Sequence, residues 1–189
     1  MLNSKDFGDM RNEIEKFDEQ RELLIKDSRN VIKLSKQIIY GIHRGENVDK
    51  LIESIKAELA NLTKLTKVHP ELYYSPTYKM AVQEFVEALA YYHFVKESKI
   101  PTHKELEVDS EGYLLGICDL TGELVRKAID SAIKGNTEMA LKIKETVSEI
   151  YGEFLKFDFR NGLLRKKFDG IKYDLKKLED LALNLKLKK

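Results

Sequence analysis

The sequence predicts an all-α protein, a single-domain bundle of about seven helices over residues 1–189. Apolar residues recur at three- and four-residue steps through long segments, and no apolar/polar alternation persists beyond four positions. Three Pro and ten Gly in 189 residues are too few for a sandwich or barrel, which turns every ~8–12 residues. With 42% apolar and 34% charged residues, the chain can fill one core and still carry a densely charged surface.

The first helix runs from about Ser4 to Arg44. Its seam is Leu24, Ser28, Val31, Ser35, Ile38 and Ile42, widened by Ile25, Ile32 and Ile39, and the serines allow a neighbour to approach closely. Gly45 supplies the stop, and Asn47 caps a second helix with Val48, Leu51, Ile52, Ile55, Leu59 and Leu62 on one face. A turn from Tyr73 to Pro76 leads into a third helix, Thr77 to about Ser98. Thr102 and Glu105 form a capping-box pattern that predicts a short fourth helix. A fifth spans Glu111 to Lys134 before Gly135, and a sixth Thr137 to Phe157. The seventh runs from Leu163 to Lys188, with Phe168, Ile171, Leu175, Leu178, Ala182 and Leu185 on one face. The first, third and seventh helices are apolar on more than one face, which predicts a homo-oligomer.

Several function classes fall away. A single Cys excludes a disulfide framework and a Cys-based zinc site, and Cys118 lies in an apolar run as a small buried hydrophobe. There is no glycine-rich phosphate loop and no nucleophile elbow. His43, His69, His93 and His103 lack metal-ligand spacing and read as packing or surface residues. The N-terminus has no signal-like apolar core, and no stretch approaches ~18 apolar residues, so a soluble, cytoplasmic protein without membrane contact is expected. The net charge of +1 selects no class of partner. Residues 160–189 are locally basic, however, and Arg165, Lys166 and Lys167 open that stretch as candidate phosphate contacts.

Two segments carry charge where periodicity expects apolar surface. In the third helix, MAVQEFVEALAYYHFV holds Glu84 and Glu87, three apart on one face, with no basic residue at i±3 or i±4 of either. In the fifth, GYLLGICDLTGELVR holds Asp119 and Glu123, four apart, and only Glu123 has basic neighbours, Arg126 and Lys127. Gly112, Gly116 and Gly122 cost that helix up to ~1 kcal/mol each relative to Ala, which makes sense if a backbone or a ligand must come close. Buried ionised carboxylates are paired, protonated or bound to a cation. One outcome is therefore pairing with Lys or Arg from neighbouring helices. The other is a hard divalent cation, Mg²⁺ or Mn²⁺, held by Glu84, Glu87, Asp119 and Glu123. A di-iron bundle site fits less well, because its repeated Glu-x-x-His is missing.

These segments resemble one family. GYLLGICDLTGELVRKAIDSAIKGN is similar to the signature helix of the translin superfamily in its catalytic branch, translin-associated factor X (Trax). QEFVEALAYYHFV resembles that branch's acidic helix, and SRNVIKLSKQIIYGIHRG its first long helix. The C-terminal LRKKFDGIKYDLKKLEDLALNL is closer to translin, and archaeal members mix the branches in this way. The resemblance implies seven helices and a hollow homo-octameric shell. It also implies a metal-dependent endoribonuclease acting on single-stranded RNA, with Glu84, Glu87, Asp119 and Glu123 as metal-binding and catalytic acids. The alternative within the family is a shell that binds single-stranded RNA or DNA without cleaving it. Translin's basic, aromatic stretch before the third helix corresponds here to YYSPTYKMAV, whose one base is Lys79. Lys79 and Arg126 complete the candidate nucleic-acid contacts.

Overall fold

The computed structural model describes residues 2–187. Among them are six α-helices and one short 3-10 helix, with no strand. The α-helices are α1 (Ser4–Arg44), α2 (Asp49–Val68), α3 (Pro76–Glu97), α4 (Ser110–Ile133), α5 (Thr137–Phe154) and α6 (Leu163–Leu187). The C-terminal end of the last expected helix, Lys188, lies outside the described residues.

The seam of α1 is buried as its spacing requires: Leu24, Ser28, Val31, Ser35, Ile38 and Ile42 all face the core. Gly45, at φ 74°, ends the helix in the left-handed conformation that glycine adopts without a Cβ penalty. The Asn47 side chain accepts the Asp49 N–H at 2.9 Å, so it caps α2 although it sits one residue before the helix boundary. Asp109 caps α4 by accepting the Gly112 N–H at 2.8 Å, and Asn136 caps α5 through the Met139 N–H at 3.0 Å.

Two connections differ from expectation. The segment before α3 tightens into a 3-10 helix, Pro70–Tyr74, which buries Leu72. The fourth helix does not form. The Thr102 and Glu105 capping bonds are made, with Glu105 N–H donating to Thr102 Oγ1 at 3.2 Å and Thr102 N–H to Glu105 Oε2 at 2.7 Å. Glu107 then turns to φ 54°, and the chain leaves helical conformation at once, so the capping box closes a turn.

Helix α3 is the centre of the bundle. It packs against α1 on one side and α4 on another, and α4 in turn carries α5 and α6. Its all-round apolar character follows from this position: Phe85, Val86, Ala88, Leu89, Ala90 and Tyr91 are all buried within the chain. The breadth of α3 is thus largely used inside the bundle. Helix α1 differs, since its first turns leave Phe7, Met10, Ile14 and Leu23 exposed.

The α3–α4 contact depends on two glycines. A Cβ on Gly112 would lie 2.6 Å from Val82 Cγ1. One on Gly116 would lie 2.5 Å from Val86 Cβ and 2.7 Å from the Gln83 carbonyl oxygen. Gly122 has nothing within 4 Å, and its contribution to α4 is only the propensity cost. Gly116→Ala should therefore lower stability by about 1–3 kcal/mol through forced separation of α3 and α4. Gly122→Ala should hold or raise it by up to about 1 kcal/mol. Urea unfolding of the pair checks this, and equal shifts would show that the close approach is not a constraint.

A candidate acidic site between the central helices

The helix crossing set by Gly112 and Gly116 brings the next turn of α4 against the acidic turns of α3. Glu84 and Glu87 come from α3, Asp119 and Glu123 from α4, and all four are half-buried. The structure brings the four sequence-predicted acids into one electrostatic cluster, but gives each a different environment.

Asp119 is held by two donors. Lys167 Nζ of α6 stands 2.5 Å from Oδ1, and Gln83 Nε2 donates to Oδ2. Glu123 Oε2 accepts from His43 Nε2 at 2.5 Å, with Arg126 Nη1 at 3.8 Å. The other ring nitrogen of His43, Nδ1, lies 3.2 Å from the Tyr91 hydroxyl, so Tyr91, His43 and Glu123 form a chain linking α3, α1 and α4. Both ring nitrogens of His43 are thus engaged, Nε2 by the Glu123 carboxylate and Nδ1 by the Tyr91 hydroxyl, which holds the ring in place. Glu84 is anchored through its backbone, where Ser35 Oγ donates to the carbonyl oxygen at 2.7 Å. Burial pushes the Glu84 carboxyl above the usual range, and Asp119 adds to the rise while Lys36 and Lys167 oppose it.

Glu87 stands apart. Its carboxyl makes no hydrogen bond or ion pair among the described residues. Burial first, and then the charges of Asp119, Glu84 and Glu123, push it up to about 8. Pairing with a base of a neighbouring helix therefore accounts for Asp119 and Glu123 and not for Glu84 or Glu87, of which Glu87 is shifted furthest.

Of the candidate nucleic-acid contacts, Lys167 is an ion-pair partner of Asp119, in the place where a cation would neutralise the cluster. Arg126 lies beside Glu123, its guanidinium carbon 5.1 Å from the centre of the Tyr40 ring. Lys79 is bound elsewhere, 3.5 Å from Asp109 and 3.9 Å over the Tyr73 ring. Arg165 pairs with Asp169 at 3.0 Å, and Lys166 is exposed. Cys118, buried beside Asp119 in sequence, has its thiol pushed up to about 12 by burial, which fits a packing role.

Sequence reasoning missed His43 and Gln83. A signal for His43 was present: Ser35, Ile39 and His43 step by four along the edge of the buried seam, so the ring had to face a neighbouring helix.

The donors suit a hard cation in type, since all four are carboxylates and Glu87 has no other partner. Among the described residues, no three His, Cys, Asp or Glu side chains converge as a ready-made metal site. Asp119 and Glu123 are drawn aside by Lys167 and His43, and loading a cation would require those side chains to turn.

An all-helical bundle with two acidic pairs facing across its central helices is a narrow class. This chain belongs to the Translin family, whose model matches residues 19–189. Translin of Homo sapiens is 26% identical over an alignment covering 95% of this chain and 86% of that protein. Translin-associated protein X of Rattus norvegicus is 25% identical, with 96% and 78% covered. Among solved structures, apo-NeC3PO superposes with a TM-score of 0.87 at 34% identity, covering 97% of each chain. The AfC3PO–duplex RNA complex superposes at 0.78 with 27% identity, covering 97% of this chain and 98% of that one.

The unequal environments predict opposite melts in chelator. Glu87 holds a proton in the folded state up to about pH 8, whereas an unfolded Glu loses it near 4.5. Between those values the folded state binds more protons, so stability is greatest below the unfolded pKa. It falls as pH rises, by at most about 1.4 kcal/mol per pH unit from this group. Glu87→Gln should raise the melting temperature at about pH 8, with the gain shrinking toward about pH 5. Asp119→Asn should lower the melting temperature, through a loss of about 1–3 kcal/mol of stability, because Lys167 loses its charged acceptor. Thermal melts across that pH range check both signs.

Proposed function

We propose that this protein is a Mg²⁺- or Mn²⁺-dependent endoribonuclease that hydrolyses single-stranded RNA inside a homo-oligomeric shell, an octamer. The observation that carries the reading is Glu87: a half-buried carboxyl with no hydrogen bond or ion pair among the described residues, beside three other acids, in a helix with no base at i±3 or i±4. Family membership and the likeness to AfC3PO, solved with duplex RNA, support an RNA ligand.

Glu84, Glu87 and Asp119 would hold the cation, and Glu123 would act as ligand or base. A bound divalent ion supplies a water of lowered pKa and neutralises charge that builds on the phosphate. The chain's own groups set the frame for that chemistry. His43 aims the Glu123 carboxylate and is itself fixed by Tyr91. Gln83 and Lys167 hold Asp119 while the site carries no cation. Single strands suit a site half-buried between helices, because unpaired bases can splay and stack.

The ion pairs of Asp119 and Glu123 favour a second reading, a shell that binds single-stranded RNA or DNA while its acids are structural. Incubation of labelled single-stranded RNA with Mn²⁺ and with chelator separates the two, with duplex RNA and single-stranded DNA as comparators. The enzyme reading expects Mn²⁺-dependent internal cuts that Glu87→Gln abolishes, with oligomer mass unchanged by light scattering. Binding without cuts would establish the second reading. A monomer at micromolar concentration would remove the shell.

A further inference from the structure

Helix α1 carries a charge asymmetry that the core does not use and that the acidic site meets only at Lys36. Between residues 28 and 45 it contains Arg29, Lys33, Lys36 and Arg44, and no Asp or Glu. Counted at 3.6 residues per turn, Lys26, Arg29, Lys33, Lys36, Tyr40 and Arg44 fall within an arc of about 80°. All six are exposed, and they lie opposite the buried seam. From Lys26 to Tyr40 the row is about 20 Å long.

Exposed bases elsewhere commonly sit beside an acid three or four residues away, as in Lys134–Asp130, Lys156–Glu153, Arg165–Asp169 and Lys177–Asp174. Among the described residues, Lys26, Arg29, Lys33 and Lys36 enter no ion pair, and Arg44 meets only Glu46, at 3.6 Å. A solvated face that served solubility alone would alternate signs, as the surface of α6 does. A row of one sign with its counter-charges missing is built for an extended anion.

The row also leads to the acidic site. Lys36 is near enough to act on the Glu84 carboxyl. The half-exposed Tyr40 ring lies 5.1 Å from the Arg126 guanidinium, and Arg126 lies 3.8 Å from Glu123. Lys36, Gln37, Tyr40 and Arg44 line one groove on this face. Cations spaced along a helix, ending at an aromatic ring beside the carboxylates, match a polyanion whose bases can stack.

We infer that the exposed face of α1 is the track for a single-stranded RNA: Arg29, Lys33 and Lys36 take successive phosphates, and Tyr40 stacks a base at the entrance to the acidic site. The inference rests on the RNA-binding part of the proposed function and not on cleavage. It also moves the phosphate contacts away from the start of α6, where the sequence alone placed them.

The test is fluorescence anisotropy of a labelled oligouridylate with the full-length protein in chelator, so that cleavage cannot interfere, over about 50–200 mM salt. The triple variant Arg29→Ala, Lys33→Ala, Lys36→Ala should weaken binding and reduce the salt slope by about 2, at ~0.7 per single-strand phosphate contact. A matched triple on exposed α6 positions, Lys166→Ala, Lys172→Ala, Lys176→Ala, should leave the slope unchanged. Tyr40→Ala should weaken binding by roughly 5- to 100-fold, and Tyr40→Phe, which keeps the ring, should restore it. Circular dichroism confirms that each variant folds. An unchanged slope in the α1 triple, or a loss confined to the α6 triple, would overturn the track. Equal binding of polyglutamate would do so too, by pointing to an acidic protein as the partner. Wild-type binding with the predicted slopes but no Mn²⁺-dependent cuts would support the track and refute the nuclease. Cleavage with an α1 triple that binds normally would do the reverse.

Discussion

The close approach of α3 and α4 is the constraint on which the rest of the molecule depends. Gly112 and Gly116 ride on Val82 and Val86, four residues apart on each helix, and no other side chain fits at Gly116 without moving the Gln83 backbone. Once that register is fixed, the next turns cannot avoid each other, and they carry Gln83, Glu84, Glu87, Asp119 and Glu123. The acids meet because the apolar halves of the same helices pack well, and their mutual repulsion is borne by that packing. On the far side of α3, Ser35 in the α1 seam plays the corresponding part, small enough for contact and bonded to the Glu84 carbonyl.

The four carboxylates resolve this repulsion unequally, and the difference follows from which helices surround them. Asp119 faces α6 and receives Lys167; Glu123 faces the end of α1 and receives His43. Glu87 has three other acids nearby, outweighing the charge of Lys167, and keeps its proton up to about pH 8. A cluster made for stability alone would put a base or an apolar residue at that position, since a polar group withdrawn from water without a partner costs free energy that apolar packing avoids. The retained, unpartnered carboxyl is the feature that structural pairing leaves unexplained.

Much of this was legible in the sequence, for identifiable reasons. The seam of α1 was readable because serines and apolar residues at seven-residue spacing allow one buried face only. The acidic pairs were readable because Glu84 and Glu87 interrupt an apolar helix that lacks bases. Lys167 was not, because a contact 48 residues away in sequence leaves no trace in local spacing. The local basic excess around it points to a phosphate contact, which is a property of composition and not of position. The helix expected at Thr102 failed for a similar reason. A capping box specifies where a helix can start, and nothing in it reports that Glu107 will adopt a left-handed backbone two residues later.

One helix joins the two halves of the functional reading. Helix α1 carries His43 against Glu123 and, on the neighbouring strip of the same helix, exposes Lys36 and Tyr40, all within three turns of a single rigid rod. The spacing between a strand tracked along α1 and the carboxylates of α3 and α4 would then be set by the packing of these helices, with His43 linking α1 to Glu123. Sites carried on rigid elements hold their geometry better than sites on loops. On the proposed track the strand's register would be fixed by phosphate and stacking contacts, which carry no base identity. A protein built this way would select its substrate by single-strandedness and access to the site. Sequence preference would have to come from groups that reach base edges, and the face from Lys26 to Tyr40 offers few of them: Asn30 and Gln37 are its exposed uncharged amides.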